Sequence, residues 1–404
     1  MYTLEDWVRH GDELRRPLLV SKSLVDSESL GIVGGGLSGL SLAYRIGLER
    51  PDLPIKLIEK TGRLGGVIET WREDEWICDI SVNAVRPHPS FWRLVDDLGM
   101  SDSFGPSRGI ASSRWIILRG GKHRISPATI LKIGAFGFLR GAFNSRKVGS
   151  SVLDVLQNRE IADAMTLGIV NDTADQVDAN FLFPSLTGFG PKAPVSRRSL
   201  QKKISKSYPI FTPRKGSLAS LEGGMEDIIR VLHDTISKMG NVEIILENGE
   251  GGPEELSSAY DIPISSMIWT SSLPGRDHGE TTLSVFAVGF QEEEVSGVEI
   301  GYGTLIPDPN TPISGILHES DIHSSRRAPE GHRLFRLMVP HTRWDGNEQT
   351  VREALRGLNG FSREPAIFRR IGERAIPRYP PGYLSSLKNY AGDLSLAGWT
   401  GSGV

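Results

Sequence analysis

The chain predicts an α/β fold of two domains with a helical insert. Three observations carry that expectation. A short apolar strand near residue 30 runs into a glycine-rich turn and then a helix. Farther on, 281–290 and 333–339 alternate apolar side chains with period two, as strands of a mixed sheet do. Between them, 91–216 reads as mostly helical. At 404 residues the chain has room for two or three domains of about 150 residues each.

The composition is that of a globular protein: 38% hydrophobic, 24% charged, with 46 Gly and 24 Pro. It excludes collagen-like, coiled-coil and disordered chains. A net charge of −3 speaks against a nucleic-acid binder. With one cysteine, Cys78, no intrachain disulfide can form. Among nine histidines, His318 and His323 are too isolated to suggest metal ligands, and no metal is expected. No uncharged apolar run reaches the roughly 20 residues of a membrane-spanning helix. Residues 1–28 contain acidic groups and only a four-residue apolar patch, so they read as an extension rather than a leader peptide, with cytoplasmic residence the default.

The first element is the strand Leu30–Val33. Gly34, Gly36 and Gly39 follow as G-x-G-x-x-G, and a helix runs from there to about Arg50, stopping at Pro51. Gly34 permits the tight turn, Gly36 lets a diphosphate approach the backbone, and Gly39 lets helix and strand pack closely. The diphosphate sits on the positive end of the helix. The next strand, 55–58, ends at Glu59, 20 residues past Gly39, where a carboxylate can accept ribose hydroxyls. This is a Rossmann-like dinucleotide-binding unit. After Glu59 and Lys60 comes R-x-G-G: Arg63, Gly65 and Gly66. An arginine beside bare backbone amides suits a second phosphate contact, which flavoproteins holding extended FAD use. The cofactor expected is FAD.

Met225 to Met239 carries a helical apolar stripe that Gly240 can end, and 242–246 is a strand whose Val242 is expected to place backbone groups against the adenine. Another strand covers 267–270, a surface helix 347–358, and a polar loop 248–255. The organisation that follows is an N-terminal extension (1–28), a FAD-binding domain in three parts (29–90, 217–275, 371–404), the helical insert (91–216) and a substrate-binding sheet domain (276–370). There is no G-x-S-x-G elbow, and Cys78 sits in an apolar strand context typical of a core, so a cofactor rather than a side chain is expected to do the chemistry.

At this point the chain resembles the oxygen-dependent protoporphyrinogen oxidases, within the FAD-linked amine oxidase and phytoene desaturase superfamily. The resemblance runs from about Leu30 to the end. It rests on six segments in order: GRLGGVIET, SSRWIILRGGKHRISP, SLEGGMEDIIRVL, GYGTLIP, AIPRYPPGY and LSLAGWTGSGV. It departs from the family around Asp79 to Pro87, at Asp172 where a glycine is usual, at Tyr383 in place of His, and at Trp399 in place of Asn. The family continues from Val404 into a helix facing the flavin, so the third FAD segment reads as truncated.

The resemblance implies three two-electron oxidations of protoporphyrinogen IX to protoporphyrin IX for heme biosynthesis, with dioxygen as acceptor and hydrogen peroxide as product. It implies Arg114 as the cation for a substrate propionate; Phe286 and Leu305 are expected either to face the macrocycle or to belong to the core. Trp399 and Val404 would lie near the flavin. Alternatives are a coproporphyrinogen III oxidase of the same family, another oxidoreductase of the superfamily, and a truncated non-catalytic flavoprotein. An apolar stretch at 130–143 punctuated by Lys132 and Arg140, and a basic one from Lys192 to Lys215, are expected to touch an anionic membrane face from the inside. A homodimer is compatible with the sequence, which does not decide the assembly.

Overall fold

A computed structural model describes residues 26–85, 89–118, 120–126, 149–183, 218–272, 278–387 and 394–398. In chain order the strands begin with β1 (Leu30–Val33), β2 (Ile55–Ile58), β3 (Thr70–Glu73), β4 (Trp76–Asp79), β5 (Phe104–Pro106), β6 (Arg114–Leu118), β7 (Gly121–Arg124) and β8 (Ala219–Leu221). They continue with β9 (Val242–Ile245), β10 (Met267–Trp269), β11 (Glu280–Gln291), β12 (Gly303–Leu305), β13 (Gly315–Leu317), β14 (His332–Pro340), β15 (Ile367–Pro377) and β16 (Ser395–Leu396).

Five strands far apart in the chain form one parallel sheet in the order β16-β10-β1-β2-β9. Strands buried on both faces need near-continuous apolar runs, and β1 supplies one: all four of its residues are buried. The helices Leu37–Glu49 and Glu226–Ile236 pack on this sheet, burying Leu40, Ala43 and Ile46 from the first and Ile228, Ile229, Leu232 and Ile236 from the second. Their i, i+3, i+4 spacing puts each set on one helix face.

A seven-stranded mixed sheet, β15-β11-β14-β13-β12-β6-β7, forms the second layer. Its outer face carries Phe286, Val288, Phe290, Phe335, Leu337 and Val339, covered by the helix Glu348–Arg356 through Val351 and Leu355. The inner face looks towards the nucleotide-binding layer. There Ala287 and Leu334 pack with Trp76 and Cys78, and Leu283 and Val285 pack with Ile80. The layers approach so closely that a Cβ on Gly289 would lie 2.2 Å from the Trp76 ring.

Two expectations about secondary structure need correction. The segment 91–216 is not simply helical. Its β6–β7 hairpin joins the edge of the seven-stranded sheet, with β6 parallel to β12. Residues 253–260 are a helix, not the end of a polar loop: Pro253 stands at the first turn and Glu255 closes back on the Gly252 amide. The apolar and basic stretches at 130–143 and 192–215, and Trp399 and Val404, lie outside the described residues. No helix among the described residues is long and apolar enough to cross a membrane.

Candidate active site

The turn after β1 is made almost entirely of backbone. Gly34 has φ +110°, and its amide donates to Ile58 O at 2.8 Å, tying β1 to β2. A Cβ on Gly39 would sit 1.9 Å from the Gly34 carbonyl oxygen, so only glycine lets the helix start against the turn. A Cβ on Gly36, by contrast, would meet nothing nearer than the Gly66 Cα at 3.9 Å. The helix that follows has no side-chain cap and no acidic residue in its first turn, which leaves its first amides and positive dipole end open to an anion. Gly65 folds over this turn: its amide donates to Gly35 O at 2.8 Å, and Gly36 and Gly65 form a parallel bridge.

Glu59, only 8% exposed, is fixed at the end of β2. Its Oε2 accepts from the Gly35 amide at 2.7 Å, and its Oε1 from the Thr61 amide and hydroxyl at 2.9 and 2.8 Å. The carboxylate therefore reaches the turn through Oε2. Lys60 is exposed.

Two sequence expectations are not met here. Arg63 does not reach outward: its guanidinium donates to the carbonyls of Leu64, Gly66 and Ile68 and to Glu69. It props up the turn that Gly65 (φ +109°) and Gly66 (φ +57°) make. Val242 stands at the start of β9, opposite Ile55 and against Gly47. In a parallel sheet the ligand end is the carboxyl end of the strands, so Val242 is at the far end. The backbone groups near Glu59 are those of Glu247, whose amide donates to Thr61 O, and Asn248, whose amide donates to Glu59 O.

Between β4 and the bridge from Val85 to Ala219 runs 80–85, which faces the inner side of the seven-stranded sheet. Arg336 donates to the carbonyls of both Asp79 and Ser81. Asp79 in turn accepts from the Thr70 hydroxyl at 2.6 Å and the Met225 amide at 2.8 Å. Behind it lies a buried ionic cluster that sequence reasoning missed. Arg327 stands 3.7 Å from Asp79, Glu319 lies 3.0 Å from both Arg336 and His323, and Asp321 lies 2.8 Å from Arg333. Burial alone would raise the Glu319 carboxyl, but Arg336, His323 and Arg327 outweigh it and hold it at about 2. Burial lifts Asp79 despite Arg327, and lifts the Cys78 thiol well above its ordinary value.

The register of the seven-stranded sheet sets what faces the nucleotide layer. One row across it is Ala287, Arg336, Leu317, Gly303 and Arg114, and the next is Val285, Met338, Gly315, Leu305 and Ile116. Arg114 is exposed, with its guanidinium 4.5 Å from the centre of the Tyr302 ring and no carboxylate partner among the described residues. Leu305, half-buried, packs under Ala164 and Gly168 of the helix Arg159–Val170. Phe286 is misplaced as a substrate contact. It is fully buried on the outer face, its ring packed against Trp344 and Phe368. Period-two alternation points it away from the face that Val285 and Ala287 present to β4.

The residues at the turn fit a dinucleotide diphosphate: a Cβ on Gly36 would meet only the Gly66 Cα, at 3.9 Å, and the helix that follows carries no side-chain cap on its first amides. Fold and turn together define a Rossmann-like dinucleotide-binding protein, and the model of the NAD(P)-binding Rossmann-like domain matches residues 32–98. Over most of its length the chain is similar to porphyrinogen oxidases. It is 21% identical to coproporphyrinogen III oxidase of Staphylococcus aureus, covering 90% of this chain and 91% of that one. It is 25% identical to protoporphyrinogen oxidase 2, chloroplastic/mitochondrial, of Arabidopsis thaliana, covering 90% and 87%. Among solved structures, cyclohexylamine oxidase from Brevibacterium oxydans shares the fold with a TM-score of 0.57 at 14% identity, covering 93% of this chain and 95% of that one. The resemblance read from the six motifs is thus borne out, and with it the mixed α/β architecture with a Rossmann-like sheet.

Proposed function

We propose that this chain is an FAD-dependent oxidase of a porphyrinogen, converting protoporphyrinogen IX to protoporphyrin IX with dioxygen as acceptor and hydrogen peroxide as product. The observation that carries the reading is the glycine cradle: a turn closed to side chains at Gly39, open at Gly36 and flanked by the Glu59 carboxylate. The family likeness of the whole chain supports it. FAD, when bound, supplies the two-electron acceptor. The chain's own part is to hold and orient. Gly36 and the uncapped helix end would take the diphosphate, and Glu59 would accept the ribose hydroxyls.

For the substrate, the half-buried Leu305 and Met338 offer apolar surface on the inner face of the sheet, and Arg114, exposed at the start of β6, offers a planar fork for a propionate. A lysine there would lack the matching geometry. Coproporphyrinogen III, with four carboxylates, is the competing substrate. The test incubates the FAD-loaded protein with each porphyrinogen and follows porphyrin fluorescence and peroxide. We expect turnover of protoporphyrinogen IX that Arg114→Leu slows chiefly through KM. Turnover of coproporphyrinogen III alone would reassign the substrate, and turnover of neither would reject the porphyrinogen reading.

A further inference from the structure

Tyr302 lies in the motif Gly301-Tyr302-Gly303, and its backbone is gripped from three sides. The Gly301 amide donates to Asp321 at 3.2 Å, the Tyr302 amide to Ser113 O at 2.7 Å, and the Tyr302 carbonyl accepts from the His318 amide at 3.0 Å. Asp321 is itself held by the buried Arg333. Both glycines are needed for this approach. A Cβ on Gly301 would lie 2.7 Å from Ser113 O, and one on Gly303 would lie 2.3 Å from Ile316 O. The segment is thereby pressed against the strand that starts at Arg114, and the Tyr302 ring, lodged against Ala111, Leu317 and Ile322, comes to lie under the guanidinium at 4.5 Å.

An exposed arginine at the start of a strand, with no carboxylate partner among the described residues, would ordinarily sample many rotamers, and holding it still costs entropy when a ligand binds. A ring face restrains the guanidinium plane without using any of its N–H donors, because the attraction is to the π-cloud. We propose that Tyr302 is a positioning residue: its ring pre-orients Arg114 so that the edge of the guanidinium, with all its donors, is presented to a carboxylate of an apolar, carboxylate-bearing macrocycle. This rests on the reading of Arg114 given above and adds a residue to it. The phenol hydroxyl has no part in the device; the ring does.

The test is a binding cycle on the full chain loaded with FAD, using protoporphyrin IX and its dimethyl ester as probes and fluorescence quenching as the readout. Tyr302→Leu is expected to weaken binding of the free acid about fivefold, in the range of a partly exposed cation–π contact, while leaving the ester unchanged. Tyr302→Phe, which keeps the ring, should bind the acid within about twofold of the parent. In an Arg114→Leu background, Tyr302→Leu should have no further effect, because the pair acts as one unit. A merely structural role for Tyr302 would weaken acid and ester alike and would add to Arg114→Leu; either result overturns the inference. If Arg114→Leu alone binds the acid as tightly as the parent, the substrate reading of Arg114 fails, and this inference with it. If Arg114→Leu weakens binding but Tyr302→Leu does not, only the inference fails.

Discussion

The carbonyl oxygen of Gly34 lies 1.9 Å from where a Cβ on Gly39 would be, while a Cβ on Gly36 in the same turn would touch nothing within 3.9 Å. Two glycines of one motif therefore do different work. Gly39 serves packing inside the protein, and Gly36 keeps room for something outside it. Gly39→Ala should lower stability by about 1–3 kcal/mol, as overpacking does, and lose flavin as a consequence. Gly36→Ala should leave the melting temperature of the flavin-free protein unchanged. Thermal melts of both variants without flavin check the contrast.

The second prediction concerns acid. The folded Glu319 carboxyl stands at about 2, below its ordinary 4.5. A depressed carboxylate contributes stability above its unfolded value that is lost as pH falls through the folded one. The window is thus about pH 4.5 down to 2, and the contribution is on the order of 3 kcal/mol. Glu319→Gln removes that titration but strands Arg336, so it should also cost about 3–5 kcal/mol at neutral pH. Denaturant unfolding at a series of pH values should show a shallower slope for the variant across that window. An unchanged slope would mean that the buried pair does not govern acid stability.

A third prediction uses Cys78. The thiol is fully buried, and burial, reinforced by Glu319, raises it well above its usual value. A thiol-specific reagent should leave the native protein unmodified and label one group per chain after unfolding. Rapid labelling of the native protein would show that β4 does not stay packed against β11 and β14.

Phe286 gives the fourth. Truncating it to alanine empties the space between Trp344 and Phe368 and should cost about 3–5 kcal/mol. Affinity of the folded protein for protoporphyrin IX should not change, because the ring lies on the face away from the nucleotide layer. Chemical unfolding and fluorescence titration of the same preparation separate the two effects.

What could be read ahead of the structure was what the backbone decides. Gly34, Gly36, Gly39 and Glu59 are legible because a turn of this kind tolerates few residue types at fixed spacing. β1 and β2 fall where period and glycine placed them, and the alternation of β11 and β14 was equally plain. Which face of that alternation looks inward depends on a partner layer distant in the chain, so the sequence alone does not decide between macrocycle and core for Phe286. An arginine next to two glycines looks the same in a sequence whether it binds a phosphate or, as Arg63 does, its own turn's carbonyls. Glu319, Asp321, Arg333 and Arg336 look like surface charges in a sequence, since their compensation comes from one another, between β14 and the short helix Glu319–Ile322. The Tyr302–Arg114 contact joins residues 188 positions apart through the parallel pairing of β6 with β12. No local pattern announces it. The helix at 253–260 could have been found from Gly252-Pro253-Glu254-Glu255, a start signal in plain view.

Titration of flavin-free protein with FAD tests most directly whether the turn at Gly36 is a dinucleotide cradle. The parent should bind stoichiometrically and shift the flavin absorbance. Gly36→Val, equally well folded by its melting curve, should not. Equal FAD binding by parent and variant, or none by the parent, would contradict the account.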